Sequence, residues 1–183
     1  LDISDSGSLW IYALVAPFPT VTDDVAYQDL LSTWKGVPTG PLNGHSVLLA
    51  ESTLRAFAAV WGEPASGAVR SVPSGELLDT AWRESAWAII PFEETQPKWK
   101  VLSVDGQSPL RKNFDADAYP LKIHFGLTQA DAFALPSTNR DPSKLTTVIL
   151  TGVTALVRAT AVTMELRGVT FPAEFIRDVL REA

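Results

Sequence analysis

At 183 residues the chain suits one ordinary domain, or one domain with part of another. Hydrophobic residues make up 46% and charged residues 20%, a globular balance that argues against disorder. A net charge of −6 with no basic run makes a poor nucleic-acid or anionic-membrane binder, and zero cysteines exclude disulfides, zinc ribbons, iron–sulfur centres and thiol catalysis.

In chain order, Leu9 to Val15 is a continuous apolar run of strand length that Pro17 and Pro19 end. Ala26, Leu30, Leu31 and Trp34 fall at helical spacing, with Gly36 where a C-terminal cap is expected. Ser46 to Ala50 reads as a second buried strand, and Ser52 or Thr53 as the cap of a helix that runs to Trp61 and stops at Gly62. Leu77, Leu78, Ala81 and Trp82 form a further helical face. Trp87 to Ile90 and Lys100 to Val104 are short strands, with Asp105-Gly106 as a turn, and Leu121 to Phe125 alternates like a strand with one wet side. Strands separated by helices predict an α/β fold with a mixed, mainly parallel sheet.

From Thr128 to about Leu145 the chain is turn-rich and lacks a sustained period, so it reads as a linker. A strand (Thr146 to Thr151) and a helix carrying Ala155, Ala159, Val162 and Leu166 follow, with Gly168 as its stop and Pro172 where a new helix begins. The expected division is therefore a lobe over 1–127, a linker over 128–145 and a β-α-α unit over 146–183. The stretch from Val148 to Met164 is not a membrane span, because Arg158 interrupts it. The chain starts without methionine and ends inside an amphipathic pattern, so it is expected to be a piece of a longer protein.

Four features are candidates for chemistry. At the start of the second helix, Glu51-Ser52-Thr53-Leu54-Arg55 combines free backbone N–H groups, two hydroxyls and a guanidinium, which suits a phosphate, sulfate or carboxylate. The plainer alternative is that Ser52 caps the helix and Arg55 is solvated. Six tryptophans are expected chiefly in the core, Trp99 between two lysines being the least core-like. His45 reads as a turn residue and His124 as a surface or interface residue, which leaves no metal site. Finally, Thr151-Gly152-Val153-Thr154 at a strand-to-helix junction has one glycine and matches neither a dinucleotide fingerprint nor a P-loop, so no cofactor is implied.

Two resemblances extend this. The tail, Leu150 to Ala161 through Gly168 and then Phe175 to Ala183, resembles the opening of a CapA-type domain, a family linked to capsule and poly-γ-glutamate synthesis with a metallophosphatase-like fold. Val153 stands where that family places a metal-binding aspartate, so the resemblance brings no metal ligand onto this chain. Upstream, five pieces in order are similar to one lobe of phosphate-type periplasmic substrate-binding proteins: Val21 to Gly36, Glu51 to Phe57, Trp87 to Phe92, Val101 to Gly106, and Tyr119 to Leu121. That resemblance implies anion binding at the Ser52-Thr53 turn, although the glycine the family places between serine and threonine is missing.

The combined expectation is a non-catalytic recognition module outside the cytoplasm, possessing no cofactor and no catalytic residue. Its binding residues are Ser52, Thr53 and Arg55, and its partners a small anion such as phosphate or a carboxylate, or polyglutamate. The rest of the parent chain or another subunit is a further expected partner. The alternatives are a structural or assembly module without a ligand, and part of a hydrolase active only in the full-length chain.

Overall fold

The computed structural model describes residues 7–126, 136–150 and 157–182. The chain divides into two compact units, Leu1–Ser143 and Lys144–Ala183.

The first unit is built round β1 (Gly7–Pro17), whose apolar run is long enough to pair on both sides. It is flanked by β5 (Trp87–Pro91) and β6 (Trp99–Val104), both antiparallel to it, while β7 (Lys122–Gly126) pairs antiparallel with its first half. The parallel part of the mixed sheet lies further out. On one side β3 (Val47–Leu49) runs parallel to β5 and to β4 (Val69–Ser71), and on the other β2 (Asp24–Val25) runs parallel to β6. The order β2-β6-β1-β5-β3-β4 thus places the most apolar strand in the middle, where both of its faces are covered.

Helices cover the two faces. The alternation of a strand sends Ala13 and Val15 to one side and Tyr12 and Leu14 to the other. Ala13 and Val15 join Leu48, Ala88 and Ile90 under Leu77 and Ala81 of α3 (Leu77–Glu84). On the opposite face the Tyr12 ring meets Phe57 of α2 (Glu51–Trp61) at 5.0 Å. Phe57 continues through Trp61 to Trp34 and Tyr27 of α1 (Tyr27–Trp34). At the end of α2, Gly62 adopts φ 81°, ψ 171°, a backbone region that a side chain would strain, and its carbonyl accepts a hydrogen bond from the Trp34 indole at 2.8 Å.

Several expectations are corrected here. Trp99 is buried at the start of β6, whereas Trp82, on the α3 face expected to be apolar, is 41% exposed with its indole N–H donating to the Lys98 carbonyl. Pro136 to Arg140, inside the expected linker, is bonded onto the first unit. Leu9 N–H donates to the Ser137 carbonyl, and the Asn139 side chain accepts from Ile11 N–H at 2.7 Å and donates to the Ile11 carbonyl at 2.9 Å, its Nδ2 also donating to Glu93 Oε2. The Arg140 guanidinium is buried, donating to the Pro109 and Arg111 carbonyls and lying 4.6 Å over the Phe114 ring. Burial lowers its pKa.

In the second unit, residues 145–150 form no strand, so the expected strand from Thr146 is not present in its described part. Among the described residues of this unit there is no strand for it to pair with. Helix α4 (Ala159–Arg167) ends at Gly168, which adopts φ 96°, and Pro172 opens a 3-10 turn that leads to α5 (Arg177–Glu182). Leu127, the expected linker start at 128–135, and the Thr151-Gly152-Val153-Thr154 junction with Ala155 lie outside the described residues. No described helix is long and apolar enough to cross a membrane.

Candidate functional site

The three residues singled out in the sequence come together at the first two turns of α2. That helix begins two or three residues earlier than expected: Ala50, not Ser52 or Thr53, occupies the N-cap position, and no side chain caps it. Leu54 N–H is the first amide to bond back into the helix, to the Ala50 carbonyl at 2.8 Å. The plain capping role for Ser52 is therefore not adopted, and the donors at the helix start are left to solvent or a ligand.

Thr53 sits beside them in an unusual state. It is 1% exposed, and its hydroxyl has no hydrogen-bond partner among the described residues. A buried hydroxyl without a partner costs about 1–3 kcal/mol, so an atom in this state marks a place where a partner is missing. Arg55 is exposed and lies 3.8 Å from Glu51, one turn back on the same helix. So exposed a pair is weak, and the guanidinium is free to turn to another acceptor.

Ser52, Thr53 and Arg55 line one cleft of about 520 Å³. Its other wall comes from β1, β7 and the end of β5, through Trp10, Tyr12, Phe125 and Pro91, with Glu94 on the 3-10 turn that follows. Register explains the aromatic part. Trp10 and Tyr12 project to the same face of β1, and Phe125, opposite Ser8, is the diagonal neighbour of Trp10. The two rings meet edge to face at 6.0 Å. The Trp10 indole N–H donates to the Ser8 hydroxyl, which in turn donates to the Pro136 carbonyl.

The electrostatics are mixed. The Tyr12 phenol is pushed up to about 12 by burial, then by Glu93 and Glu94, so it stays protonated at physiological pH. Glu94 is also raised, first by burial and then by the neighbouring Glu93. An anion at the helix start is thus favoured by the amides, the hydroxyls and Arg55, and opposed by Glu51 and by ionised Glu94.

His45 lies elsewhere, stacked on Trp87 at 4.8 Å with Nδ1 3.1 Å from the Ser85 carbonyl. His124 is exposed on β7. Among the described residues no three histidine, aspartate or glutamate side chains are gathered as a metal site. Of the cleft, sequence reasoning missed Trp10, Tyr12, Phe125 and Glu94. The Leu121 to Phe125 alternation did not point to it, because Phe125 falls on the same side as the buried Leu121 and Ile123, whereas the wet side carries Lys122 and His124.

No family model matches the chain, and no curated protein matches it either. Solved structures do. An ABC-type phosphate transport receptor from Vibrio cholerae superposes with a TM-score of 0.55 at 16% identity, over 64% of this chain. A phosphate ABC transporter substrate-binding protein from Clostridium perfringens, with phosphate bound, gives 0.50 at 18% identity over 67% of this chain. The fold is that of a binding-protein lobe. The chain spans 55% and 59% of the length of those two proteins, so it corresponds to part of each. Neither likeness supports a CapA-type domain.

Proposed function

We propose that this chain is a recognition lobe that holds a small anion at the start of α2. The observation that carries this reading is the uncapped helix start beside a buried, partnerless Thr53 hydroxyl, in a cleft that Ser52 and Arg55 also line. Unpaired donors in one place stabilise an oxyanion by hydrogen bonds to its charged oxygens. The two solved neighbours are phosphate-binding receptors by description, which supports phosphate or a carboxylate as the ligand class. The same likeness supports a location outside the cytoplasm. Since the chain spans little more than half of each neighbour, a second lobe or subunit is expected to complete the enclosure. The capsule or poly-γ-glutamate setting, with polyglutamate as ligand, rests on the resemblance of residues 146–183 alone.

Thr53→Val separates binding from packing. Valine keeps the shape and removes a hydroxyl that has no partner in the free protein, so the variant should be as stable as the parent or up to about 1 kcal/mol more stable. Calorimetric titration with orthophosphate should nevertheless show weaker binding, as it should for Arg55→Ala, by about three- to tenfold given the exposure of that guanidinium. Unchanged affinity in both variants would remove the site.

A structural or assembly role has one observation of its own. In the unit Lys144–Ala183 large apolar side chains stand in solvent, Leu166 at 79% and Phe175 at 89%. Tryptophan fluorescence that ignores phosphate, glutamate and oligoglutamate alike favours that role.

A further inference from the structure

We infer that the cleft takes an organic anion, an oxyanion joined to an apolar ring, rather than a bare tetrahedral ion; the inference rests on the anion reading above and deepens it. The cleft-lining stripe of α2 carries the argument. Ser52, Arg55, Ala56 and Ala59 lie at spacings of three, four and seven residues, so they share one helix face. All four line the cleft. That face begins polar, beside the free amides and Thr53, and ends apolar at two alanines. At 1.5 Å per residue the change takes place over about 10 Å.

The facing wall matches the gradient. Trp10 and Phe125 form an edge-to-face pair, and the Trp10 indole is fixed by its bond to Ser8, itself bonded to the Pro136 carbonyl. A ring held in place by hydrogen bonds loses no rotamer freedom when a ligand stacks on it. Small side chains opposite a fixed aromatic pair leave room that a bare oxyanion does not fill. The volume agrees, since about 520 Å³ falls in the range of roughly 300–1,000 Å³ that suits organic ligands. An oxyanion at the α2 start would therefore present whatever it is attached to between the alanines and the indole.

The whole 183-residue chain is titrated with orthophosphate and with phenyl phosphate. Phenyl phosphate is expected to bind at least about tenfold more tightly, from the apolar area and ring contacts it buries. Trp10→Ala should reduce that preference to about threefold or less. Ala59→Gln, an exposed helix position that tolerates glutamine, should reduce it as well and guards against a folding defect in the tryptophan variant. If orthophosphate binds through Ser52 and Arg55 but phenyl phosphate binds no better, or the preference survives in Ala59→Gln, this inference falls while the anion site stands. Binding of neither compound overturns both.

Discussion

Glu94 is the residue at which the cleft's charge can be tuned. Its carboxyl is raised above the ordinary glutamate range by burial and then by Glu93, while Tyr12 across the wall remains a neutral phenol. A raised acid favours its protonated form in the folded state, so its contribution to stability is present below the unfolded glutamate pKa and is lost as pH rises through the folded value. Binding has the same sign. Protonation removes a negative charge that faces the anion, leaving Arg55 and the amides opposed only by Glu51 and Glu93. Benzenesulfonate keeps its charge throughout, and its affinity should rise about two- to fivefold between pH 7 and pH 5 at low salt. Glu94→Gln should flatten that profile and raise the affinity at pH 7. A parent profile already flat over that interval overturns the role given to Glu94.

At the scale of elements, the strap from Pro136 to Arg140 does for β1 what another strand would. Asn139 imitates a backbone partner, accepting from Ile11 N–H and donating to its carbonyl, and Ile11 is fully buried. Asn139→Ala leaves both groups buried and unpaired, so urea unfolding should show a loss of about 2–4 kcal/mol. A loss under about 0.5 kcal/mol would mean that the strap is replaced by water. This strap was not legible in the sequence, because a turn-rich run with no period carries no sign of what its side chains reach. The elements with a strong local pattern were legible: β1 from its apolar run, α2 from its spacing and Gly62, and the Asp105-Gly106 turn, where φ is 50° and 73°. The three-residue β4 and two-residue β2 were not, since parallel pairing at a sheet edge depends on distant partners. The site divides along the same line. Ser52, Thr53 and Arg55 are neighbours in the chain and could be read together, whereas Trp10 reaches them only through the register of β1 against β7, which a continuous apolar run does not encode.

For the whole molecule, the distribution of buried side chains sets what each unit contributes. Every side chain buried among the described residues lies between Ser8 and Arg140, that is, within the unit Leu1–Ser143. Helix α4 in the other unit buries none of its residues. Hydrophobic burial is the main favourable term in folding, so the unit without it adds little to the unfolding free energy. A chain ending at Lys144 should therefore unfold in urea within about 0.5 kcal/mol of the parent, with a slightly smaller m-value because less surface is exposed. Its behaviour in solution should change more. Val148, Leu150, Leu166, Val169 and Phe175 stand 71–90% exposed, and so many large apolar side chains in solvent promote self-association and binding of hydrophobic dyes. Light scattering at high concentration and dye fluorescence should both fall when residues 145–183 are removed. A loss of more than about 2 kcal/mol on truncation would show that the tail supports the lobe's core, since surface deletions free of buried groups do not reach that size.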